Sequence, residues 1–245
     1  DTMKAIREFM LAKGDLQNQM TGVKKIIPFS SKVKYSAVCF ENESYLLGAP
    51  EIVLGKTYEK VSSEINHLLE EGFRVLVLAG TKEKIYDQLN LGAYALGYVV
   101  LANPIRENAK STFNYFAEQG VNIKVISGDN PQTVSAVAKR AGITGAERFI
   151  DANLLKTKED LDQAVESYTV FGRVTPDQKR RLVQALKRKD HTVAMTGDGV
   201  NDILAMKSAD CSIAMASGSD AATQVAQVVL LDSDFGHMTQ VVTEG

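Results

Sequence analysis

Asp198 stands between two glycines at the end of an apolar run, in Val193-Ala-Met-Thr-Gly-Asp-Gly-Val-Asn-Asp202. A carboxylate in that setting is exposed and closely approachable, which suits a hard, oxygen-preferring cation such as Mg²⁺. Asp202, four residues on, can back the same pocket from the first turn of a following helix, with Asn201 beside it. Two further stretches suit phosphate. Ile126-Ser-Gly-Asp-Asn130 sets the Ser127 hydroxyl and the Gly128 amide just ahead of a helix start, where free backbone N–H groups welcome an anion. Phe171-Gly-Arg-Val-Thr-Pro-Asp-Gln-Lys179 carries a lysine in the first turn of its helix. A cation there opposes the helix dipole, so an anionic ligand explains Lys179 better than helix stability does. A hydroxyl donor, a cation and a metal-binding carboxylate together are what phosphoryl transfer needs, because that chemistry is mostly positioning and charge neutralisation. Each stretch alone also reads as an ordinary turn or cap. The three in order argue for chemistry.

These groups must be held by an alternation of strands and helices that begins near residue 93. The pattern predicts strand 97–102, helix 107–119, strand 122–126, helix 131–141, a short segment near Phe149, helix 158–166 and strand 168–171. Helix 176–189, strand 191–196, helix 202–208, strand 211–215, helix 219–226, strand 227–231 and helix 235–244 complete it. Strands separated by helices of this length make right-handed βαβ units on a parallel sheet, with ligands at the strand C-termini.

The first part of the chain has a different flavour. A helix over 2–13 stops at Gly14, and strands 23–29, 35–40 and 45–47 follow, with Glu41-Asn-Glu43 as a hairpin turn. Pro50 opens a short helix; Val61, Ile65, Leu68 and Leu69 mark an amphipathic one ending at Gly72; 74–79 is a short, continuous, buried strand. The expectation is an antiparallel, hairpin-rich sheet with helices to one side. Phe29, Lys32, Lys34, Gly48 and Arg74 are its candidate ligand groups, a mixture suited to a flat base and a phosphate tail. The alternative puts Phe29 in the core and the lysines on a solvated face. The boundary is placed near residue 100, giving domains 1–100 and 101–245, with a hinge at Asn103-Pro104.

A chain of 245 residues has room for one large or two modest domains, and 44% hydrophobic with 24% charged residues is ordinary for a soluble globular protein. A formal net charge of −2 gives no global attraction to nucleic acid or anionic lipid. Two distant cysteines, Cys39 and Cys211, read as buried thiols of a reducing compartment. No run reaches the roughly 18–20 apolar residues of a membrane helix, and the start lacks the apolar core of a secretion signal. The expectation is a soluble, cytosolic piece.

The motifs resemble the P-type cation-transporting ATPases, whose phosphorylation domain belongs to the haloacid dehalogenase superfamily. Thr196-Gly-Asp-Gly-Val-Asn-Asp202, extended through Met215, looks like that family's hinge signature; Ser127-Gly-Asp129 looks like its Thr-Gly-Asp loop with the hydroxyl kept. Asn103-Pro-Ile-Arg106 is similar to its Asp-Pro-Pro-Arg turn, and 171–179 to its Arg-Val-x-Pro-x-x-Lys segment. Pro28-Phe-Ser-Ser31 and Gly48-Ala-Pro-Glu51 look like its adenine-stacking segment and its Lys-Gly-Ala-Pro-Glu loop. The resemblance implies a Rossmann-like haloacid dehalogenase parallel sheet plus an α+β antiparallel-sheet nucleotide-binding domain. It implies ATP and Mg²⁺ as cofactors. Phe29 would stack on adenine with Lys34 nearby, Gly48 would line the base pocket, and Arg74 and Arg173 would reach phosphate or ribose. Ser127, Gly128 and Lys179 would hold the transferred phosphoryl group; Asp198 would ligate Mg²⁺, with Asn201 and Asp202 completing the pocket. Asp129 and Arg106 would serve the contact between the domains, which close around the hinge.

The family's pattern is not followed throughout. Leu47 replaces the lysine of Lys-Gly-Ala-Pro-Glu, removing one contact to ATP, and Asn103 replaces the first aspartate of the turn. The Asp-Lys-Thr-Gly-Thr motif that carries the phosphorylated aspartate, and the membrane helices that move the cation, lie outside this sequence. The resemblance therefore implies the cytoplasmic piece of a membrane-embedded pump, which binds nucleotide and Mg²⁺ without turning over. Calcium or magnesium as cargo, and a bacterial source, are analogies only. A soluble haloacid dehalogenase-type phosphatase is the alternative. Its nucleophile would be Asp232 of Val228-Val-Leu-Leu-Asp-Ser-Asp-Phe235, although Gly236 stands where Thr or Val is usual. A third reading is a non-catalytic nucleotide-sensing module.

Overall fold

The computed structural model describes residues 2–13, 22–30, 33–82, 85, 93–102 and 104–244. Gly14, Lys32 and Asn103, each singled out above, lie outside the described residues. The chain forms two compact units, Asp1–Leu68 with Phe73–Ala102, and Leu69–Gly72 with Asn103–Gly245.

The first unit contains helix α1 (Thr2–Lys13), strands β1 (Lys25–Ile27), β2 (Tyr35–Cys39) and β3 (Ser44–Gly48), and helices α2 (Pro50–Val53) and α3 (Ser62–Glu70). Strands β4 (Arg74–Thr81) and β5 (Tyr94–Leu101) complete it. All five strands pair antiparallel in the order β1-β2-β3-β4-β5. The hairpin turn closes at Glu41–Glu43, where the Phe40 N–H donates to the Glu43 carbonyl at 2.8 Å. Strand alternation sends Leu46, Val77 and Ala79 to one face, where they pack with Val53 and Leu54 beside α2. Leu46 and Val77 are 0% exposed, and burying each is worth ~1.5–3 kcal/mol. Pro50 starts α2, where its missing N–H costs nothing. Gly72, at φ 84°, ends α3, with N–H groups of Gly72 and Phe73 donating to Leu69 and Leu68. Strand β4 is longer than expected and alternates rather than being buried throughout, because the sheet's second face carries no core: Leu78 is 40% exposed. The apolar side of α1 is likewise exposed, at Met3, Phe9, Met10 and Leu11.

The strand expected at 97–102 is not the first of the parallel sheet: it is β5, paired antiparallel with β4 in the first unit, and the alternation begins after it. In order the second unit has α4 (Ala109–Glu118), β6 (Val125–Ile126), α5 (Pro131–Arg140), β7 (Phe149–Asp151), α6 (Lys158–Ser167) and β8 (Val170–Gly172). Then come α7 (Pro176–Arg188), β9 (Ala194–Gly197), α8 (Ile203–Ser208), β10 (Cys211–Met215), α9 (Asp220–Val225), β11 (Val228–Leu230) and α10 (Met238–Glu244). Every pairing is parallel, but the strands do not form one sheet. They form two sheets of three, β6-β8-β7 and β11-β10-β9. Among the described residues each sheet has a central strand and two edge strands, β6 and β7 beside β8, and β9 and β11 beside β10. Burial follows: β10 has three buried residues in its centre, whereas β9 has one and β6 none. One core gathers Leu161, Val165, Phe171 and Leu182 around β8; the other gathers Phe116, Ile213, Leu230 and Met238 around β10 and β11. Cys39 and Cys211 are free thiols, half-buried rather than buried.

Candidate functional site

Ser127, Arg173 and Asp198 each follow the last residue of a parallel strand, β6, β8 and β9. Three backbone hydrogen bonds knit the first two loops together. The Ser127 N–H donates to the Phe171 carbonyl at 2.9 Å, Arg173 N–H to Asp129 at 2.7 Å, and Val174 N–H to Ser127 at 2.9 Å. The Ser127 hydroxyl accepts the Asp129 N–H at 3.1 Å, which bends the loop so that its amides precede α5. Asn130 caps α5 by accepting from the Gln132 N–H, and Pro131 opens it. A Cβ on Gly172 would collide with Pro131, so only glycine lets the two loops lie this close. Gly128 faces the Val174 carbonyl with ordinary space.

Thr175 and Gln178 form a capping box at the start of α7, which fixes the turn that carries Lys179. The Lys179 ammonium donates to the Asp202 carboxylate at 2.6 Å, and the other Asp202 oxygen accepts the Gly199 N–H at 3.1 Å. Asp202 is 6% exposed. A carboxylate of the chain itself thus lies against the Lys179 ammonium. The pair joins α7, which follows β8, to the turn after β9. A Cβ on Gly197 would come within 2.5 Å of the Asp202 Cβ, so glycine there is what admits the carboxylate.

Asp198 is exposed, as is Asn201. The Asp198 carbonyl accepts the Ser219 N–H at 2.7 Å, and Gly218 packs against its backbone where no Cβ fits. The Asp198 loop is therefore held by its main chain, and the residue itself is exposed. No group of three His, Cys, Asp or Glu side chains suited to a metal forms among the described residues. One exposed carboxylate still fits Mg²⁺, which keeps several waters and takes one or two carboxylates plus substrate phosphates.

Other candidates have different duties. Arg173, at φ 54°, ion-pairs through its guanidinium with Asp151 at 2.6 Å, both side chains about four-fifths buried. Arg106 lies 3.6 Å from Asp234. Asp234 accepts from the Gly236 N–H at 2.8 Å and from the Asn108 amide at 2.9 Å, and these donors hold its carboxyl below the usual range. Asp232 pairs with His237. The Asp-Ser-Asp segment is therefore occupied in tying β11 and α10 to the start of α4. In the first unit, Phe29 is 55% exposed. Lys34 sits at φ 59° and its carbonyl accepts the Ala49 N–H at 3.1 Å. Gly48 faces the core side, where a Cβ would lie 2.5 Å from the Lys34 carbonyl and the Tyr35 Cβ. Arg74 starts β4.

Residues 31–210 match the family described as haloacid dehalogenase-like hydrolase. The chain belongs to it. Along its length the chain is also similar to cation-transporting ATPases. It is 42% identical over 248 residues to Probable cation-transporting ATPase exp7 of Streptococcus pneumoniae, covering 100% of this chain and 31% of the relative. It is 45% identical over 221 residues to Calcium-transporting ATPase CtpE of Mycobacterium bovis, covering 89% and 27%. Cation-transporting ATPase pma1 of Synechocystis is 32% identical over 247 residues, covering 89% and 27%. The chain thus spans less than a third of the length of each of these relatives. No helix among the described residues is long and apolar enough to cross a membrane.

Within this haloacid dehalogenase-like chain, sequence reasoning missed three residues of the site. Asp151 holds Arg173, yet it ends a three-residue strand and carries no local signal. Gly172 and Gly218 permit close approaches between loops distant in sequence, which no local pattern announces.

Proposed function

We propose that the chain is the nucleotide-binding and phosphorylation part of a P-type cation-transporting ATPase. Its first unit binds ATP and its second positions the phosphoryl group; the acceptor carboxylate enters on a further strand. The observation that carries this reading is that β6 and β9, whose C-terminal ends bear Ser127 and Asp198, are both edge strands. A parallel strand is normally buried on both sides, so edge strands that carry these residues at their ends favour insertion of another strand. A carboxylate at the tip of that strand would lie among the three loops, and the relatives' names point to ATP-driven cation transport. Engagement of Asp232 by His237 and of Asp234 by Asn108 weighs against an internal nucleophile.

Ser127 and the amides of its loop would donate to phosphoryl oxygens, as a helix N-terminus allows. Lys179 neutralises Asp202 at rest and would share its charge with an incoming phosphoryl group. Asp198 would hold Mg²⁺, which when bound neutralises charge developing on the transferred group. Attack by the entering strand's aspartate on the γ-phosphorus would form an acyl phosphate and break the bond to the bridging oxygen, releasing ADP. Water would later cleave the acyl phosphate, so that one hard step becomes two easier ones.

Titration with a synthetic peptide ending in Asp-Lys-Thr-Gly-Thr tests the insertion. Amide exchange is expected to slow at 125–126 and 194–197. Protection confined to other strands, or none at saturating peptide, would refute the reading.

A further inference from the structure

Helices α4 and α10 of the second unit lie side by side and run the same way, tied at two levels. Asn108, just before α4, donates from its side-chain amide to Asp234 at 2.9 Å, and a Cβ on Gly236 would run into that amide. Seven residues further along each chain, the Tyr115 hydroxyl lies 3.1 Å from the Thr243 hydroxyl. Between the helices opens a cleft of about 470 Å³. None of its lining residues belongs to the loops of Ser127, Lys179 or Asp198, so the proposed phosphoryl chemistry does not use it.

The cleft is lined by hydroxyls whose protons are already committed. Ser111 and Thr112 donate to the Asn108 carbonyl at 2.9 and 2.8 Å. Thr239 donates to the Gly236 carbonyl at 2.9 Å, and Thr243 to that of Thr239 at 2.8 Å. With the Thr243 proton spent, Tyr115 must be the donor where those two hydroxyls meet. A hydroxyl has one proton and two lone pairs, so each of these five groups retains only acceptor capacity. The exposed Glu244 carboxylate also only accepts, and it has no side-chain partner among the described residues. Among the described lining residues there is no lysine or arginine, and His237 pairs through Nδ1 with Asp232. The Tyr115 ring is a further attraction for a cation. Unspent acceptors around one carboxylate call for a ligand that brings donors and positive charge.

We infer that this cleft binds a linear aliphatic di- or triamine, its ammonium groups donating to the hydroxyl oxygens of α4 and α10 and to Glu244. The repeat along the helices favours a chain over a single ion. Ser111 and Tyr115 on one helix, and Thr239 and Thr243 on the other, are four residues apart, about 6 Å along the axis. A single cation such as Ca²⁺ gathers its oxygens at about 2.3–2.6 Å and cannot serve both levels. Ammonium groups joined by three or four methylenes can.

Heteronuclear NMR of the 245-residue chain, titrated with putrescine, spermidine, 1,4-butanediol and K⁺, tests this. Saturable amide shifts are expected at 108–115 and 236–244 with both amines and with neither control. Glu244→Gln is expected to weaken both amines roughly two- to fivefold, the worth of one exposed charge pair. Thr239→Val keeps the side chain's shape and removes one acceptor; it is expected to weaken them about three- to tenfold with circular dichroism unchanged. Butanediol binding as well as putrescine overturns the inference, because a neutral ligand then suffices. The same shifts with K⁺ overturn it in favour of an alkali-ion site. No saturable shift at 108–115 and 236–244, or unchanged affinity in both variants, places the amine elsewhere and overturns it as well.

Discussion

The two units of this chain organise their polar groups in opposite ways. In the second, acids and bases are spent on each other: Lys179 with Asp202 at 2.6 Å, Arg173 with Asp151 at 2.6 Å and Lys187 with Asp210 at 2.7 Å. In the first, Lys4 with Glu8 and Lys24 with Glu41 are looser pairs, both at 3.9 Å and exposed. Its sheet is held by apolar burial on one face and left open on the other. The contrast separates two kinds of site. One fixes its loops rigidly, which under the proposed function would bring small charges to a phosphoryl group. The other, which under the same proposal binds ATP, exposes apolar side chains such as Leu78.

The sharpest test of that contrast is Lys179→Met. It leaves a buried Asp202 without its cation, which costs about 3–5 kcal/mol where the pair is truly buried. Denaturant unfolding followed by hydrogen exchange is expected to show the loss in the second unit and none in the first. Equal loss in both would mean that the units do not fold separately. Crowded and open glycines give the next largest difference. Gly172→Ala drives a methyl into Pro131 and is expected to cost about 1–3 kcal/mol, whereas Gly97→Ala has free space and changes stability by only a few tenths.

Acid is expected to act mainly on the second unit. Asp160, Asp162, Glu166, Asp210 and Asp234 all have carboxyls held below their ordinary range. The main donors are the backbone N–H of Thr157 to Asp160, Arg188 to Asp162, His191 to Glu166, Lys187 to Asp210 and the backbone N–H of Gly236 to Asp234. A depressed folded value means the unfolded chain takes protons first as pH falls. Their stabilisation is therefore complete above about pH 4–5 and is lost as pH drops through the folded values. Tyr45 in the first unit goes the other way. Its hydroxyl is raised, first by the hydrogen bond with Glu43, so its contribution is present below about pH 10 and fades as pH rises past the folded value. Melting curves at pH 3, 7 and 10.5 would expose these opposite slopes; identical slopes for the two units would erase the contrast. The smallest expected effect is Lys24→Ala, which breaks an exposed 3.9 Å pair and is expected not to move Tm measurably.

Much of this was legible in the sequence, for physical reasons. The alternation is a local, periodic signal. The strand at 97–102 joined the first unit's antiparallel sheet, a pairing that periodicity does not show, whereas the elements after residue 104 follow the alternation. Thr157, Thr175 and Asn130 show why: each helix start carries a cap that the sequence announces. What depended on distant residues could not be read. The split of the parallel strands into two sheets is a matter of which edges meet, and periodicity says nothing about edges. The position of Lys179 argued for an anionic ligand; the structure shows its ammonium paired with Asp202, a contact across 23 residues that no local pattern announces. Arg173 was assigned to the ligand by resemblance, whereas its partner is Asp151, a residue with no motif around it. The buried strand expected at 74–79 alternates instead, because an open sheet face looks apolar in sequence just as a core does.

The central claim is that the second unit is a phosphoryl-handling platform lacking its own acceptor. Incubating the chain with Mg²⁺ and ATP labelled at the γ-phosphate, with and without the Asp-Lys-Thr-Gly-Thr strand peptide, tests it most directly. Label is expected on the peptide's aspartate and none is expected to be released by the chain alone. Steady phosphate release without the peptide, abolished by Asp198→Ala, would contradict the account.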